Sequence, residues 1–178
     1  MAPCCTCCRP HQAGCWISVP GPGGNAAALA AMGRHVTAVE PTAALRTRAA
    51  LLHPSPAIRW VDDSLPDLAS LVPDQGGYDA VMLTAVWMHL DAGQRSRAMP
   101  RVAGLVRPGG VTILSLRHGP VPAGRRMFDL AAAETVALAE AAGLTLVPHW
   151  EGGDSVLGRP GVSWTRLAFR RPGAAGAS

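Results

Sequence analysis

The chain has 178 residues, of which 48% are hydrophobic and 16% charged, so the composition is that of one globular domain and excludes a disordered protein. The longest apolar run, "AVMLTAV", is too short to span a bilayer, and the N-terminus lacks the basic start and apolar core of a signal peptide. We therefore expect a cytoplasmic protein without a membrane partner. The net charge is +4, but the arginines are dispersed and aromatic residues make up only 4%, so no nucleic-acid partner is expected.

The five cysteines lie within the first 15 residues, at Cys4, Cys5, Cys7, Cys8 and Cys15. Thiolates suit zinc, and a metal knuckle is one interpretation. Adjacent cysteines without a second pair downstream do not have the spacing of such a site, so we expect no metal. The favoured interpretation is a disordered leader at 1–14, followed by one domain at 15–171 and a flexible tail at 172–178.

Apolar runs and helical patterns alternate along that domain. Predicted strands, in chain order, are 15–19, 35–40, 57–61, 78–86, 111–116, 144–150 and 162–169. Predicted helices are 25–33, 42–52, 92–106 and 131–143. The "RPGG" of 107–110 is expected to end the third of these helices.

Side chains near the helix ends predict how several of these helices begin. Asn25 and Thr42 are candidate N-caps for the first two helices. Asp91, with Gln94 three residues later, has the pattern of a capping box. Pro100 lies inside the third predicted helix, which we expect it to kink or split.

Alternating strands and helices predict an α/β fold with a doubly wound, mostly parallel sheet. The last two strands, however, are joined by 151–161 without a helix and must be antiparallel neighbours. The sequence therefore predicts a seven-stranded sheet whose last strand is antiparallel. A dinucleotide-binding fold has a parallel, helix-linked sixth strand instead.

Ligands of such sheets bind beyond the carboxyl ends of the strands, beside the first strand. The turn "PGPGG" lies there, and the helix after it offers free backbone N–H groups. We expect Gly21 and Gly23 to matter because a side chain at either position would occupy the space of the ligand. An ordinary glycine turn is the alternative.

Acidic residues follow the second and third strands. Glu40 comes 19 positions after Gly21, the spacing expected of a carboxylate that accepts the hydroxyls of a ribose, although an acid there also suits the return of the chain to water. Asp62 and Asp63 follow the third strand, and one of them is a candidate acceptor for an adenine amino group. A helix N-cap is the alternative role for that pair.

The segment after the fourth strand, "LTAVWMHLD", is expected to line the floor beneath the ligand. Thr84 and Val86 are candidate cofactor contacts, and Trp87 and His89 are expected on the open side. His89 is a weak candidate for a catalytic base, because imidazole titrates near neutral pH. A histidine with no chemical role is the alternative, and His118 has a similar position with weaker support.

Together, "VTAVEPT", "VDDSLPDL", "YDAVMLTAVWMHLD", "LVRPGGVTILSLRHGP" and the antiparallel last strand resemble class I S-adenosylmethionine-dependent methyltransferases. The resemblance covers about residues 21–171. It implies a Rossmann-like methyltransferase fold, S-adenosyl-L-methionine as cofactor and a small-molecule methyl acceptor. Gly21 and Gly23 match the glycine loop of the family, Glu40 its ribose acid, and Asp62 or Asp63 its adenine-side acid.

The first motif departs from the family. A family strand such as "VLDIGSGPG" carries an acid near the methionine amino group, whereas Ile17 and Val19 replace that acid and the first glycine. A codon run for the family motif, read one nucleotide later, encodes Cys-Trp-Ile-Ser-Val-Pro-Gly-Pro, the sequence of 15–22. We hypothesise that the residues before about Gly23 are a frame-shifted product and that the altered motif impairs activity. Sequencing the encoding DNA tests this, and the hypothesis fails if no single-base shift restores an acid-containing strand.

Two other functions are compatible with parts of the sequence. An NAD(P)-dependent oxidoreductase shares the glycine turn and Glu40, but not the helix-free strand pair at the end. A non-catalytic remnant or interaction domain is the second alternative.

Overall fold

The computed structural model describes residues 14–18, 23–72, 76–148 and 161–173, with the backbone alone for 14–18. The strands are β1 (Gly14–Ser18), β2 (His35–Val39), β3 (Ile58–Val61), β4 (Tyr78–Leu83), β5 (Val106–His118), β6 (Thr145–Leu146) and β7 (Ser163–Arg170). The α-helices are α1 (Gly24–Ala31), α2 (Ala43–Leu52), α3 (Ala92–Leu105) and α4 (Ala132–Ala141), and a 3₁₀ turn spans Trp87–His89. None of the helices in these ranges has the length and apolar content needed to cross a bilayer.

The strands form one sheet in the order β3-β2-β1-β4-β5-β7-β6, seven strands when the two-residue β6 is included. From β3 to β5 all neighbours are parallel, as expected for strands joined through helices. β7 is antiparallel both to β5 and to β6, between which it is inserted. The α/β fold and the antiparallel last strand were thus predictable from the sequence.

The first two helices were predicted to begin at Asn25 and Thr42, and the structure differs for the first of them. α1 is capped by Gly23, not by Asn25, because Gly23 has the left-handed backbone (φ 83°) from which the helix starts. Thr42 is the N-cap of α2 as predicted, but its side chain makes no capping hydrogen bond. The backbone N–H of Thr42 instead donates to Glu40, which bears on the candidate site below.

Helix α3 bears on three of the predictions made from the sequence. Asp91 and Gln94 form the predicted capping box, each side chain accepting from the other residue's backbone N–H, at 2.8 and 3.0 Å. The helix is continuous through Pro100 and is not split. The helix ends at Leu105, just before the "RPGG" segment as predicted, and the segment itself lies within β5, where the register against β4 shifts between Tyr78 and Ala80.

Two apolar clusters cover opposite faces of the sheet. Neighbouring residues of β2 show this, since Ala38 belongs to the smaller cluster beneath α1 and Val39 to the larger one. Successive side chains of a strand point to opposite faces, so helices cover both sides of the sheet. The predicted leader is 1–14, of which Gly14 belongs to β1; its residues 1–13, the chain at 149–160 and the end of the tail at 174–178 lie outside the described residues.

Candidate functional site

The five parallel strands approach one edge of the sheet in step. The ladder places one residue from each strand in a single row: Val61, Val39, Ser18, Leu83 and Leu114. One position further on, four of the strands supply Asp62, Glu40, Thr84 and Ser115. The predicted site residues of three separate chain segments are therefore neighbours along the carboxyl edge, beside the switch point between β1 and β4 where ligands of such sheets bind.

Glu40 is a buried carboxylate at the end of β2, with 5% of its surface exposed. Its Oε1 accepts a hydrogen bond from the Thr42 backbone N–H at 2.8 Å, and its own N–H donates to the Val61 carbonyl at 3.1 Å. Within the described parts of the chain, the second carboxylate oxygen has no hydrogen-bond partner. An oxygen of a largely buried carboxylate that no described donor engages can accept a hydrogen bond from a ligand, so Glu40 fits a ligand that brings hydroxyl groups.

Asp62 is exposed and forms an ion pair with Arg46, whose Nη2 lies 2.9 Å from Oδ2. The same guanidinium donates through Nη1 to the Glu40 carbonyl at 2.6 Å. Arg46 therefore ties the end of β2 to the end of β3. One oxygen of Asp62 remains without a partner among the described residues.

Asp63 has both carboxylate oxygens engaged within its own turn. Oδ1 accepts from the Ser64 N–H at 2.8 Å, and Oδ2 accepts from the Ser70 N–H and hydroxyl at 2.8 and 2.6 Å. Partial burial raises the pKa of Asp63, but the hydrogen bonds from Ser70, Ser64 and Ala69 outweigh it, so the pKa is lowered from its ordinary value. Asp63 therefore has the geometry of a residue that stabilises the turn at 64–70.

Gly23 is required at its position, but for a different reason from the one predicted. A Cβ built on it would lie 2.7 Å from Cη2 of Trp60 and 3.2 Å from both Ala49 and His53, so protein side chains occupy that space. The expectation that a side chain there would displace the ligand is therefore wrong for Gly23. Gly21 lies outside the described residues.

The turn after β4 carries Thr84 and Val86 on either side of Ala85, which has a left-handed backbone (φ 53°). The Ala85 N–H donates to the Ser115 hydroxyl on β5 at 2.7 Å, which holds this uncommon conformation in place. Trp87, expected on the open side, is instead completely buried. Its indole packs in the larger apolar cluster, so that expectation is wrong.

The two candidate histidines both have hydrogen-bond partners. Nδ1 of His89 lies 2.8 Å from the Arg126 carbonyl, which can only accept, so Nδ1 carries the proton in this bond. In the neutral imidazole the lone pair is then on Nε2. His118 lies 2.9 Å, through Nε2, from the Thr165 hydroxyl on β7.

A cavity of about 260 Å³ opens beside the ends of β4 and β5. Met88 and Arg117 line it, together with Val121, Met127, Phe128 and Asp129 of the loop after β5. Arg117 donates to the carbonyls of Gly119 and Pro120, at 3.2 and 2.9 Å, and so fixes the start of that loop. Four of the lining side chains are apolar (Met88, Val121, Met127 and Phe128), and two are charged (Arg117 and Asp129).

Residues 18–114, more than half of the chain, match the model of a family described as "Methyltransferase domain". The chain belongs to the class I S-adenosylmethionine-dependent methyltransferase family. The predicted family and S-adenosyl-L-methionine, the cofactor of that family, are thus confirmed. No curated protein matches the chain.

Several solved structures have the same fold as this chain. One is 1,6-didemethyltoxoflavin-N1-methyltransferase from Burkholderia thailandensis with bound 1,6-didemethyltoxoflavin and S-adenosylhomocysteine: TM-score 0.71 and 18% identity, over 90% of this chain and 72% of that one. Another is the N-methyltransferase NodS from Bradyrhizobium japonicum WM9: TM-score 0.70 and 18% identity, over 89% of this chain and 85% of that one. The [4+2]-cyclase SpnF is similar too, with TM-score 0.71 and 12% identity over 91% of this chain and 76% of that one.

At such low identities the likeness shows the α/β methyltransferase-like fold alone, and SpnF shows that this fold is also found in a protein named for another reaction. Neither the family nor the sheet order supports the oxidoreductase alternative, since the inserted antiparallel β7 is absent from the dinucleotide-binding arrangement.

Two residues of the site region were missed from the sequence. Ser115 holds the Ala85 turn from a strand 30 positions away, and its only signal is a polar residue within an apolar strand. Arg126 contacts segments more than 30 positions away, and no local pattern indicates those contacts.

Proposed function

We propose that the chain is an S-adenosylmethionine-dependent methyltransferase that acts on a small-molecule acceptor. The observation that carries the proposal is Glu40: a buried carboxylate with one oxygen lacking a partner among the described residues, at the edge of the sheet where the family binds its cofactor. When bound, the cofactor supplies an electrophilic methyl group on a sulfonium. The chain then has to position that group against the acceptor, which accounts for much of the rate in such a transfer.

The proposed cofactor-binding roles rest on the hydrogen bonds of Glu40, Asp62 and Asp63 and, for the other residues, on their place in the chain. Glu40 would accept hydrogen bonds from the ribose. Asp62, rather than Asp63, would lie on the adenine side, because Asp63 has both oxygens engaged in its turn. Thr84 and Val86 would line the floor of the site, and Gly21 and Gly23 would shape the loop after β1.

The acceptor would occupy the cavity between Met88 and the loop after β5. Its volume of about 260 Å³ and its lining, which combines apolar side chains with Arg117 and Asp129, favour a small molecule over a macromolecule. Where the acceptor must lose a proton, His89 would receive it on Nε2, since Nδ1 already donates to a carbonyl. An acceptor without a proton to lose needs no such base.

Calorimetric titration with S-adenosylhomocysteine tests the proposal. Glu40→Gln keeps an oxygen for the Thr42 N–H but replaces the second oxygen with an NH₂ group. We expect its affinity to fall by about tenfold or more, the effect of losing a hydrogen bond to a charged group. Glu140→Gln is the matched control, since Glu140 is exposed on α4, and it should bind like the wild type.

NADH is titrated in parallel. Binding of NADH but not of S-adenosylhomocysteine would support the oxidoreductase, and binding of neither at millimolar concentration would support the non-catalytic remnant.

The altered first motif is proposed to weaken cofactor binding. The double substitution Ile17→Asp with Val19→Gly restores the acid and the glycine that the family has at these positions. We expect S-adenosylhomocysteine to bind this variant about tenfold or more tightly than it binds the wild type, because a charged hydrogen bond is regained. Equal affinity would count against the impairment.

A further inference from the structure

Arg126, in the loop after β5, contacts three residues that precede it by more than 30 positions. Its Nη2 donates to Asp91 Oδ2 at 3.0 Å and to Gln94 Oε1 at 3.3 Å, the two side chains of the α3 capping box. Its backbone carbonyl accepts from His89 Nδ1 at 2.8 Å. One residue therefore joins the loop to both the 3₁₀ turn and the start of α3.

The neighbouring Phe128 completes the connection. The Arg126 guanidinium lies over its ring, 5.1 Å from the ring centre, a distance at which a cation and an aromatic face attract each other. The Phe128 backbone N–H donates to the Met88 carbonyl at 2.8 Å. Met88 and Phe128 both line the cavity, so this hydrogen bond joins the segment after β4 to the loop after β5 at the cavity wall.

The neighbouring arginine has none of these contacts. Arg125 is exposed, and only its backbone N–H has a partner within the described chain, the Pro122 carbonyl at 3.1 Å. Arg125 and Arg126 therefore provide a matched comparison, because they have the same charge and are adjacent in the chain but differ in their contacts.

We propose that Arg126 is a positioning residue: it holds the loop 119–129 as a wall of the cavity and fixes the ring of His89 with the proton on Nδ1. That the cavity receives the acceptor rests on the proposed function, whereas the contacts of Arg126 do not. Loss of the guanidinium would free the loop, and the carbonyl that orients His89 would move with it.

Long-range proton–nitrogen NMR of the histidine rings and cleavage by chymotrypsin after Phe128 test the proposal in the full chain. His89→Gln assigns the His89 signals. Wild type and Arg125→Gln should both show His89 protonated on Nδ1. Arg126→Gln should show a mixture of tautomers and be cleaved about five- to tenfold faster, because an exposed ion pair and a cation–π contact are lost. Arg126→Lys should lie between.

Equal spectra and equal cleavage rates for Arg126→Gln and Arg125→Gln would overturn the proposal. Because Arg126 is largely exposed, the variants should fold, and Arg126→Lys gives an independent comparison if the glutamine variant does not. The affinity for S-adenosylhomocysteine should be unchanged in the Arg125 and Arg126 variants, since neither arginine is among the proposed cofactor contacts. If the wild type itself fails to bind S-adenosylhomocysteine, the proposed function fails, and NMR and proteolysis still decide the role of Arg126.

Discussion

The hydroxyl of Ser115 accepts a hydrogen bond from the Ala85 backbone N–H at 2.7 Å, across the carboxyl ends of β5 and β4. Ala85 has a left-handed backbone, which costs energy for any residue with a side chain. Such conformations persist only where the surroundings hold them, and they are concentrated at functional sites. The Ser115–Ala85 contact therefore stabilises the turn on which Thr84 and Val86 lie.

Ser115→Ala should lower the free energy of unfolding by about 1–2 kcal/mol, because the partly buried Ala85 N–H loses its acceptor. Urea denaturation measures this. Ser115→Thr keeps the hydroxyl and should recover most of the loss. If the alanine and threonine variants unfold at the same urea concentration, the hydrogen bond does not stabilise the turn.

Gly23→Ala should destabilise the chain by about 2–4 kcal/mol, because a side chain at positive φ is strained and the new methyl group would collide with Trp60. Thermal and urea unfolding of Gly23→Ala and the wild type measure this loss of stability. Gly24→Ala is the control: a Cβ there meets nothing within 4 Å, and alanine favours the helix it begins. Equal stability of the two variants would contradict the steric argument.

Features encoded by neighbouring residues could be predicted from the sequence. The Asp91–Gln94 capping box depends on two side chains three positions apart, and the structure has it as predicted. No helix joins the last two predicted strands, so the last strand was expected to be antiparallel, and β7 is antiparallel.

Features that depend on distant contacts could not be predicted. Gly23 was expected to border a ligand, yet its neighbour is Trp60, which only the packing of α1 against β3 brings close. The sequence does not distinguish the roles of the adjacent acids Asp62 and Asp63. The structure does, because Ser70 donates two hydrogen bonds to the carboxylate of Asp63. The same holds for Arg126, whose partners lie far away along the chain.

Glu134→Ala should cost about 3 kcal/mol of stability. Glu134 forms a two-pronged ion pair with Arg95, at 2.8 and 3.1 Å through Nη2, and only 5% of the Arg95 side chain is exposed. Removing the carboxylate leaves a buried charge without its partner between α3 and α4. The control is Arg97→Ala, which removes an exposed ion pair with Asp67 at 3.9 Å and should cost about 0.5 kcal/mol or less. Urea unfolding that gives both variants similar losses would contradict the assignment.

Asp63 should make the stability depend on pH in the acid range. Partial burial raises its pKa, but the hydrogen bonds from Ser70, Ser64 and Ala69 lower it by more. The pKa of Asp63 is therefore lower in the folded chain than in the unfolded chain. An aspartate whose pKa is lowered on folding stabilises the fold at pH values above its ordinary pKa, about 4, and this stabilisation is lost as the pH falls through the lowered pKa.

Asp63→Asn should therefore be less stable than the wild type at pH 7, and the difference should shrink below about pH 4. Urea midpoints measured from pH 7 to pH 3 check this, with Asp67→Asn as the control, because the exposed Asp67 carboxylate lies 3.9 Å from Arg97 and accepts no hydrogen bond within the turn. A difference between Asp63→Asn and the wild type that stays constant over that range would show that the ionised form of Asp63 does not stabilise the turn.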